Sequence, residues 1–250
     1  MSVIHVIEQH DQLLDIWHSQ NSQDLKIVHL DFHCDMRGLL IDRDFKLAYP
    51  VKFLDKVDEG NFLMHAIKEG RVKSLRWAHN IPGGRQYDVG TVMYTSDLSV
   101  QPLWWLLQLK GEPGIPLDYE VMEFDQWQGL KQGEFLNIDW DCFASDNYLL
   151  ETVDRRVESF FSRDFPYIPE QTCVCYSPKY SLATRDKFED FIKRLSQLFE
   201  AKILYTPKPI KSEVNKADQP WLQRFYYQMR YQLRHIQYES VLWLRRKNIY

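Results

Sequence analysis

The sequence predicts an α/β fold: a three-layer α/β/α arrangement around a mostly parallel sheet of about eight strands. Three observations predict it. Apolar strand-like runs alternate with segments of helical periodicity along most of the chain. Two of those runs, residues 27–30 and 135–138, are apolar right up to an acid-rich break, which is how strands covered on both faces read. And 250 residues with 44% hydrophobic content suffice for one substantial core.

In order, residues 3–7 form an apolar strand, followed by Leu13, Leu14, Ile16 and Trp17 at helical spacing, with His10 at the switch and Asp11 placed to cap the helix. The second strand, residues 27–30, runs into Asp31-x-His33-x-Asp35 and a glycine. Residues 39–59 read as a loop-rich stretch, long enough to wall a site. A helix from Asn61 stops at Gly70, and a strand over 73–78 delivers His79 to its C-terminal end. His65, mid-helix among apolar residues, reads as a packed or surface histidine. A turn at 81–84, a strand at 91–96 and a helical segment at 102–107 follow. Strands at 117–124 and 135–142 come next, the second carrying Asp139-x-Asp141. A helix presents Leu149, Leu150, Val153, Val157, Phe160 and Phe161 on one face, and a strand at 172–177 is halted by Pro178. An amphipathic helix over 186–201 and a strand over 202–207 complete the sheet.

Alternate residues of a strand point the same way, so an extended backbone would set Asp31, His33 and Asp35 on one side, and likewise Asp139 and Asp141. Four carboxylates converging at a buried strand edge repel one another, and a cation is the natural compensation. Mixed carboxylate and imidazole ligands suit Mn, Fe or Zn better than Ca. The competing account treats each acid as a strand-end polar residue lining a turn. The four cysteines, Cys34, Cys142, Cys173 and Cys175, all fall in strand-like runs and are expected reduced and in the core.

Charge near balance, −4 overall, gives no global reason to expect nucleic acid. No apolar run reaches membrane length and the N-terminus lacks a signal-type pattern, so a cytoplasmic protein is expected, with no membrane partner. Residues 221–250 differ in kind: six basic side chains against Glu239 give +5, leaving −9 for the rest of a chain of −4. Interleaved aromatics there admit single-stranded nucleic acid as an account. The helical spacing of Phe225, Met229, Leu233 and Ile236 argues instead for a terminal helix that docks on the body or on a second copy. The expected organisation is thus a metal-binding domain over 1–210 and a helical extension over 211–250 packed on it, without nucleic acid and with a homo-oligomer through that helix as one outcome.

Asp31-x-His33-x-Asp35, Asp139-x-Asp141 and an upstream histidine at a strand end resemble the arginase and deacetylase superfamily, in particular its binuclear ureohydrolase branch. The stretch Cys175-Tyr176-Ser177-Pro178-Lys179-Tyr180-Ser181 and the opening Val6-Ile7-Glu8-Gln9-His10 look most like an uncharacterised family within it. The resemblance spans residues 3–207. It implies an arginase-like fold and two divalent ions, Mn first with Zn or Fe as alternatives. One ion would be held by His10, Asp31, Asp35 and Asp139, the other by Asp31, His33, Asp139 and Asp141, with Asp31 and Asp139 bridging. For His10 to reach the Asp31 ion, the first strand is expected to lie parallel beside the second.

Ureohydrolases carry Gly-Gly-Asp-His at the first ligand, Gly-x-Asp-Pro after the Asp-x-Asp, and a Gly-Asn-Leu-His loop. Here the corresponding stretches are Glu8-Gln9-His10 and Cys142-Phe143, and only Gly60-Asn61-Phe62 echoes the loop. The cage is kept and the guanidine-recognition loops are not. The resulting expectation is a hydrolase of C–N bonds, amide or guanidine type, acting on a small molecule through metal-activated water. His79 is the expected proton shuttle and Tyr176 a donor to an oxyanion. The other class in play is a binding protein in which the cage survives without catalysis.

Overall fold

The computed structural model describes residues 2–42, 44–50, 55–81, 93–94, 113–145, 150–181 and 185–206. The expected turn after Ile81, the helix at 102–107 and the extension over 211–250 lie outside the described residues. All strands and helices below belong to one compact unit, Met1–Lys208.

Seven strands form the main sheet: β1 (Val3–Ile7), β2 (Leu25–Leu30), β5 (Val72–His79), β8 (Asp118–Glu123), β9 (Phe135–Asp139), β10 (Gln171–Cys175) and β11 (Lys202–Thr206). Their order is β11-β1-β10-β9-β2-β5-β8, and every neighbouring pair is parallel. The remaining strands, β3 (Leu39–Ile41), β4 (Leu47–Pro50), β6 (Met93–Tyr94) and β7 (Ile115–Pro116), make a separate small sheet. The stretch over 39–59, read as loop from its scattered acids and proline, therefore contains a short hairpin. The expected strand at 91–96 joins that small sheet, which is why the main sheet has seven strands.

Helices cover both faces. On one, α1 (Gln12–Ser19) and α2 (Phe62–Lys68) bury Leu13, Leu14, Trp17, Phe62 and Ile67 against Ile27, Leu75 and Trp77. On the other, α3 (Asp141–Ala144), α4 (Leu150–Phe161) and α5 (Arg185–Phe199) bury Phe143, Val153, Phe160, Phe188, Phe191 and Leu195 against Val28, Leu30, Leu136, Ile138 and Val174. Strand alternation assigns the faces, since odd residues of β2 and β9 point to α1 and α2 and even ones to the aromatic side. Each fully buried Phe, Leu or Val is worth about 1.5–3 kcal/mol relative to exposure, so α5 with five buried apolar side chains is fixed by packing. α2 ends where Gly70 takes a left-handed φ of 72°, the stop its sequence position predicts. Asp11 makes no capping bond; Gln12 Oε1 instead accepts from the backbone N–H groups of Glu8 and Gln9.

The expectation that β1 lies beside β2 is corrected: β10 and β9 stand between them. All four strands nonetheless run parallel, so their C-terminal ends share one edge of the sheet. In open α/β sheets that edge is where ligands bind.

Candidate metal centre

The ends of β1, β2 and β9 at that edge contribute to one cluster. His10 follows β1, Asp31, His33 and Asp35 follow β2, Asp139 is the last residue of β9 and Asp141 the first of α3. The structure brings all six together. His10 Nδ1 lies 2.8 Å from Asp35 Oδ2, 3.1 Å from Asp139 Oδ2 and 3.3 Å from Asp31 Oδ2. His33 Nδ1 lies 2.7 Å from Asp141 Oδ2 and 3.8 Å from Asp31 Oδ1. Two smaller donor sets, His10 with His29 and Asp31 and His10 with Asp139 and Cys175, overlap two main ligand groups, His10, Asp31, Asp35 and Asp139, and Asp31, His33 and Asp141, the donor atoms within each lying within 4.8 Å of one another. Asp31 belongs to both main groups, presenting one oxygen to each.

How the residues gather differs from the extended-strand expectation. β2 ends at Leu30, and Asp35 has a left-handed φ of 52°, so alternation stops before His33. Backbone hydrogen bonds aim the carboxylates instead. His33 N donates to Asp31 Oδ1 at 2.6 Å, Phe32 N to Asp141 Oδ1 at 3.2 Å and Asp141 N to Asp139 Oδ1 at 3.2 Å. In Asp139 and Asp141 this anchors one oxygen and leaves the other for the cluster. The turn at Asp35 is tied to α2, since Leu63 N donates to its carbonyl at 3.2 Å and Arg37 N donates to Gly60 O at 3.0 Å.

The electrostatics are those of a site that wants a cation. Burial and the charges of Asp141, Asp35 and Asp139 push the Asp31 carboxyl well above its usual pKa. Burial and Asp141 push Asp139 up to about 6. Burial opposes charge on His10 and His33, yet the carboxylates win: His10 is held well above the usual imidazole value by Asp139, Asp31 and Asp35, and His33 at about 9 chiefly by Asp141. Against the upward pull of burial, the His33 charge holds Asp141 below the usual range. Two carboxylates about 4 Å apart repel by roughly 4 kcal/mol at an effective dielectric near 20, and several such pairs would consume a stability of about 5–15 kcal/mol.

Unpartnered atoms test the fit to a metal. His10 Nδ1, His29 Nε2 and Asp31 Oδ2 are buried without a hydrogen-bond partner. Yet His10 Nδ1 sits within 3.3 Å of three carboxylate oxygens. Close atoms that are not aligned on each other are what donors converging on a shared ion look like. Oxygen-rich sets completed by imidazole fit a hard or borderline divalent ion.

Sequence reasoning missed three polar residues at the cluster. His29 Nε2 is 3.2 Å from Asp31 Oδ2, Asn137 bridges His10 and His29 at 2.9 Å to each, and Ser177 Oγ donates to Asp139 Oδ2 at 2.5 Å. A signal was present. His29 and Asn137 each interrupt an apolar run two residues before its first acid, and they are register partners in β2 and β9.

A cleft of about 160 Å³ opens over the cluster, lined by His10, His33, Asp35, Asp139 and Ser177 and walled by Arg37, Glu59, Gly60 and Tyr180. Glu59 meets the expectation that the 39–59 stretch walls a site. Arg37 pairs with Asp58, and Glu59 with Lys179 at 2.8 Å. The Tyr180 ring lies 5.1 Å from that of His33, and burial with the Glu59 charge pushes its hydroxyl up to about 12. His79 and Tyr176 are not among the lining residues. His79 is buried at the end of β5, with its pKa lowered to about 4 by burial and its Nδ1 accepting from Ile81 N. Tyr176 packs 4.8 Å from Phe188 with the Arg185 guanidinium over its ring. The cysteines are free and buried, as expected. Among the described residues no helix is long and apolar enough to cross a membrane.

No protein-family model matches the sequence, and no curated protein sequence does. Among solved structures the chain is similar to proclavaminate amidino hydrolase from Streptomyces clavuligerus, with 13% identity and a TM-score of 0.39 over 80% of this chain and 63% of that one. It is also similar to the arginase from Medicago truncatula, with 10% identity and a TM-score of 0.38 over 78% of this chain and 57% of that one. The chain thus spans less than two thirds of either protein. The likeness is one of α/β fold, and the metal centre stands on the residues described above.

Proposed function

We propose that the protein is a metal-dependent hydrolase of C–N bonds, amide or guanidine type, working on a small molecule with two divalent ions, Mn first and Zn or Fe as alternatives. The carrying observation is a pair of buried ligand groups that share Asp31. His10, Asp31, Asp35 and Asp139 would hold one ion; Asp31, His33 and Asp141 would hold the other, with Asp139 as the second bridge the motif resemblance implies. Bound divalent ions supply Lewis acidity and make water acidic enough to ionise near neutral pH.

The chain's own groups do the rest. Ser177 holds Asp139 in place through its hydroxyl proton. Tyr180 keeps its proton with a pKa near 12 and stands on the cleft wall, so it can donate to an oxygen gaining negative charge. That is the role the sequence suggested for Tyr176, four residues earlier on the same loop. His79 can serve as a shuttle only through an intervening group, because it does not line the cleft and burial keeps it neutral.

A second reading, a metal-holding protein without turnover, is favoured by the mouth of the cleft, where Arg37 and Glu59 are already paired with Asp58 and Lys179. Metal analysis of protein purified without added metal, followed by an amide and guanidine panel with and without Mn, tests both. Turnover that requires the metal and is lost in Tyr180→Phe more than in Tyr176→Phe supports the hydrolase. Metal without turnover selects the second reading, and no metal removes both.

A further inference from the structure

Two imidazoles, not one, lie within ligand reach of Asp31. The donor atoms of His10, His29 and Asp31 fall within 4.8 Å of one another, so distance alone would admit His29 as a ligand. We propose that Asn137 is a positioning residue that gives these imidazoles opposite roles: His10 a metal ligand through Nδ1, His29 a non-ligand whose Nε2 carries its proton. The inference rests on the metal-centre reading above and adds what decides its ligand chemistry.

The argument is one of hydrogen-bond polarity. Asn137 and His29 face each other as register partners on the two central strands, and with His10 all three side chains are at most 1% exposed. Water is therefore not a ready alternative partner. Asn137 Oδ1 lies 2.9 Å from His10 Nε2, while Asn137 Nδ2 lies 2.9 Å from His29 Nδ1. A carboxamide has one end that accepts and one that donates. The ring nitrogens it touches must then be of opposite kind: His10 Nε2 carries a proton and His29 Nδ1 carries a lone pair.

A neutral imidazole has one nitrogen of each kind, so the far nitrogens are opposite too. His10 turns an Nδ1 lone pair toward Asp31, Asp35 and Asp139, where several donor atoms converge. His29 Nε2 lies 3.2 Å from Asp31 Oδ2 without being aligned on it, and with its proton there it has no lone pair to offer a cation. A doubly protonated His10 keeps the same amide orientation, because its Nε2–H still needs the Asn137 oxygen. Phe62, with its ring centre 4.7 Å from that of His10 and 6.5 Å from that of His29, closes the pair off from α2.

The consequence is selectivity. With His29 excluded, the two main ligand groups each contain one imidazole and at least two carboxylates, an oxygen-rich set that leans toward Mn, with the Cys175 thiol beside His10 and Asp139 as a softer donor in reach. An aspartate at 137 would accept from both rings, turn the His29 proton to Nδ1 and offer its Nε2 lone pair as a further nitrogen ligand. That set leans toward Zn.

The experiment is ¹⁵N NMR of the histidine rings in metal-free full-length protein, together with Mn and Zn affinities of the wild type, Asn137→Asp, Asn137→Leu and the remote control His18→Ala. The wild type is expected to show His29 protonated on Nε2 and bare on Nδ1. Asn137→Asp should move that proton and raise the Zn-to-Mn affinity ratio by about tenfold or more, while Asn137→Leu should weaken Mn binding about 10–100-fold, the usual size of an outer-partner effect. A wild-type His29 protonated on Nδ1 overturns the proposal without any variant having to fold. So does an Asn137→Asp protein with wild-type tautomers and ratio. If no protein binds metal, the metal-centre reading fails on its own account, while the metal-free spectrum still decides the polarity set by Asn137.

Discussion

The two halves of the centre are built differently, although they share Asp31. The His10 half is deep: His10, Asp31, Asp35 and Asp139 are all at most 5% exposed, with Asn137 and Ser177 bracing them from behind. The His33 half has three contributors instead of four, and the His33 side chain is 26% exposed beside Tyr180 on the cleft wall. Rigid, fully buried donors favour permanent occupancy, whereas a partly open set leaves room for exchange. On the proposed metal-centre reading, the inner half would hold an ion and the outer half would present one to a ligand.

The largest effect is expected where that distinction vanishes. Asp31→Ala should abolish both sites, since Asp31 belongs to both groups; elemental analysis should find the protein nearly metal-free, while Asp44→Ala, on an exposed turn, retains wild-type content. Equal metal in the two variants would remove the shared-ligand reading. Next, His10→Ala should lose the inner ion and any hydrolytic activity, whereas His33→Ala should lose only the outer one. A chelator titration should show a tight phase surviving in the His33 variant and absent from the His10 variant.

A moderate effect is expected from pH in metal-stripped protein. His33 has a folded pKa raised to about 9, so its contribution is fully present below about 6.5 and lost as pH rises through 9. Asp139 is raised to about 6, and the fold therefore favours its protonated form; that contribution is present below about 3.8 and lost as pH climbs through 6. Thermal melts in chelator should accordingly show Tm falling from pH 5 to 9. Added Mn should flatten the decline, and a flat apo profile would contradict the electrostatic account. Ser177→Ala should have the smallest effect: one hydroxyl donor to Asp139 is lost, worth about 1 kcal/mol, and the inner affinity should drop a few-fold with the outer unchanged.

Much of this was legible in the chain. The six ligand candidates are short-range patterns at strand ends, and those survive without knowledge of the fold. Strand order did not, because nothing local to residues 3–7 or 27–30 says that β9 and β10 will be inserted between them. The shared side of Asp31, His33 and Asp35 failed as an argument although the residues do converge, since a left-handed turn and backbone N–H groups replaced strand alternation. His29 and Asn137 were passed over because a polar residue in an apolar run reads as noise until register pairs it with another. Tyr180 was missed for another reason, as it reaches the cleft from a loop whose path is set by tertiary contacts.

The strand order also has a kinetic meaning. His10 meets Asn137 across 127 positions of sequence, and His33 meets Asp141 across 108, so neither half of the centre can assemble from neighbouring elements alone. Contacts so distant are late to form, because the entropy of closing long loops must be met before they return anything. Bound ions would thus be poor nucleators of folding. They would act instead as a latch, engaging once the strands are seated, with their main effect on how slowly the finished molecule comes apart.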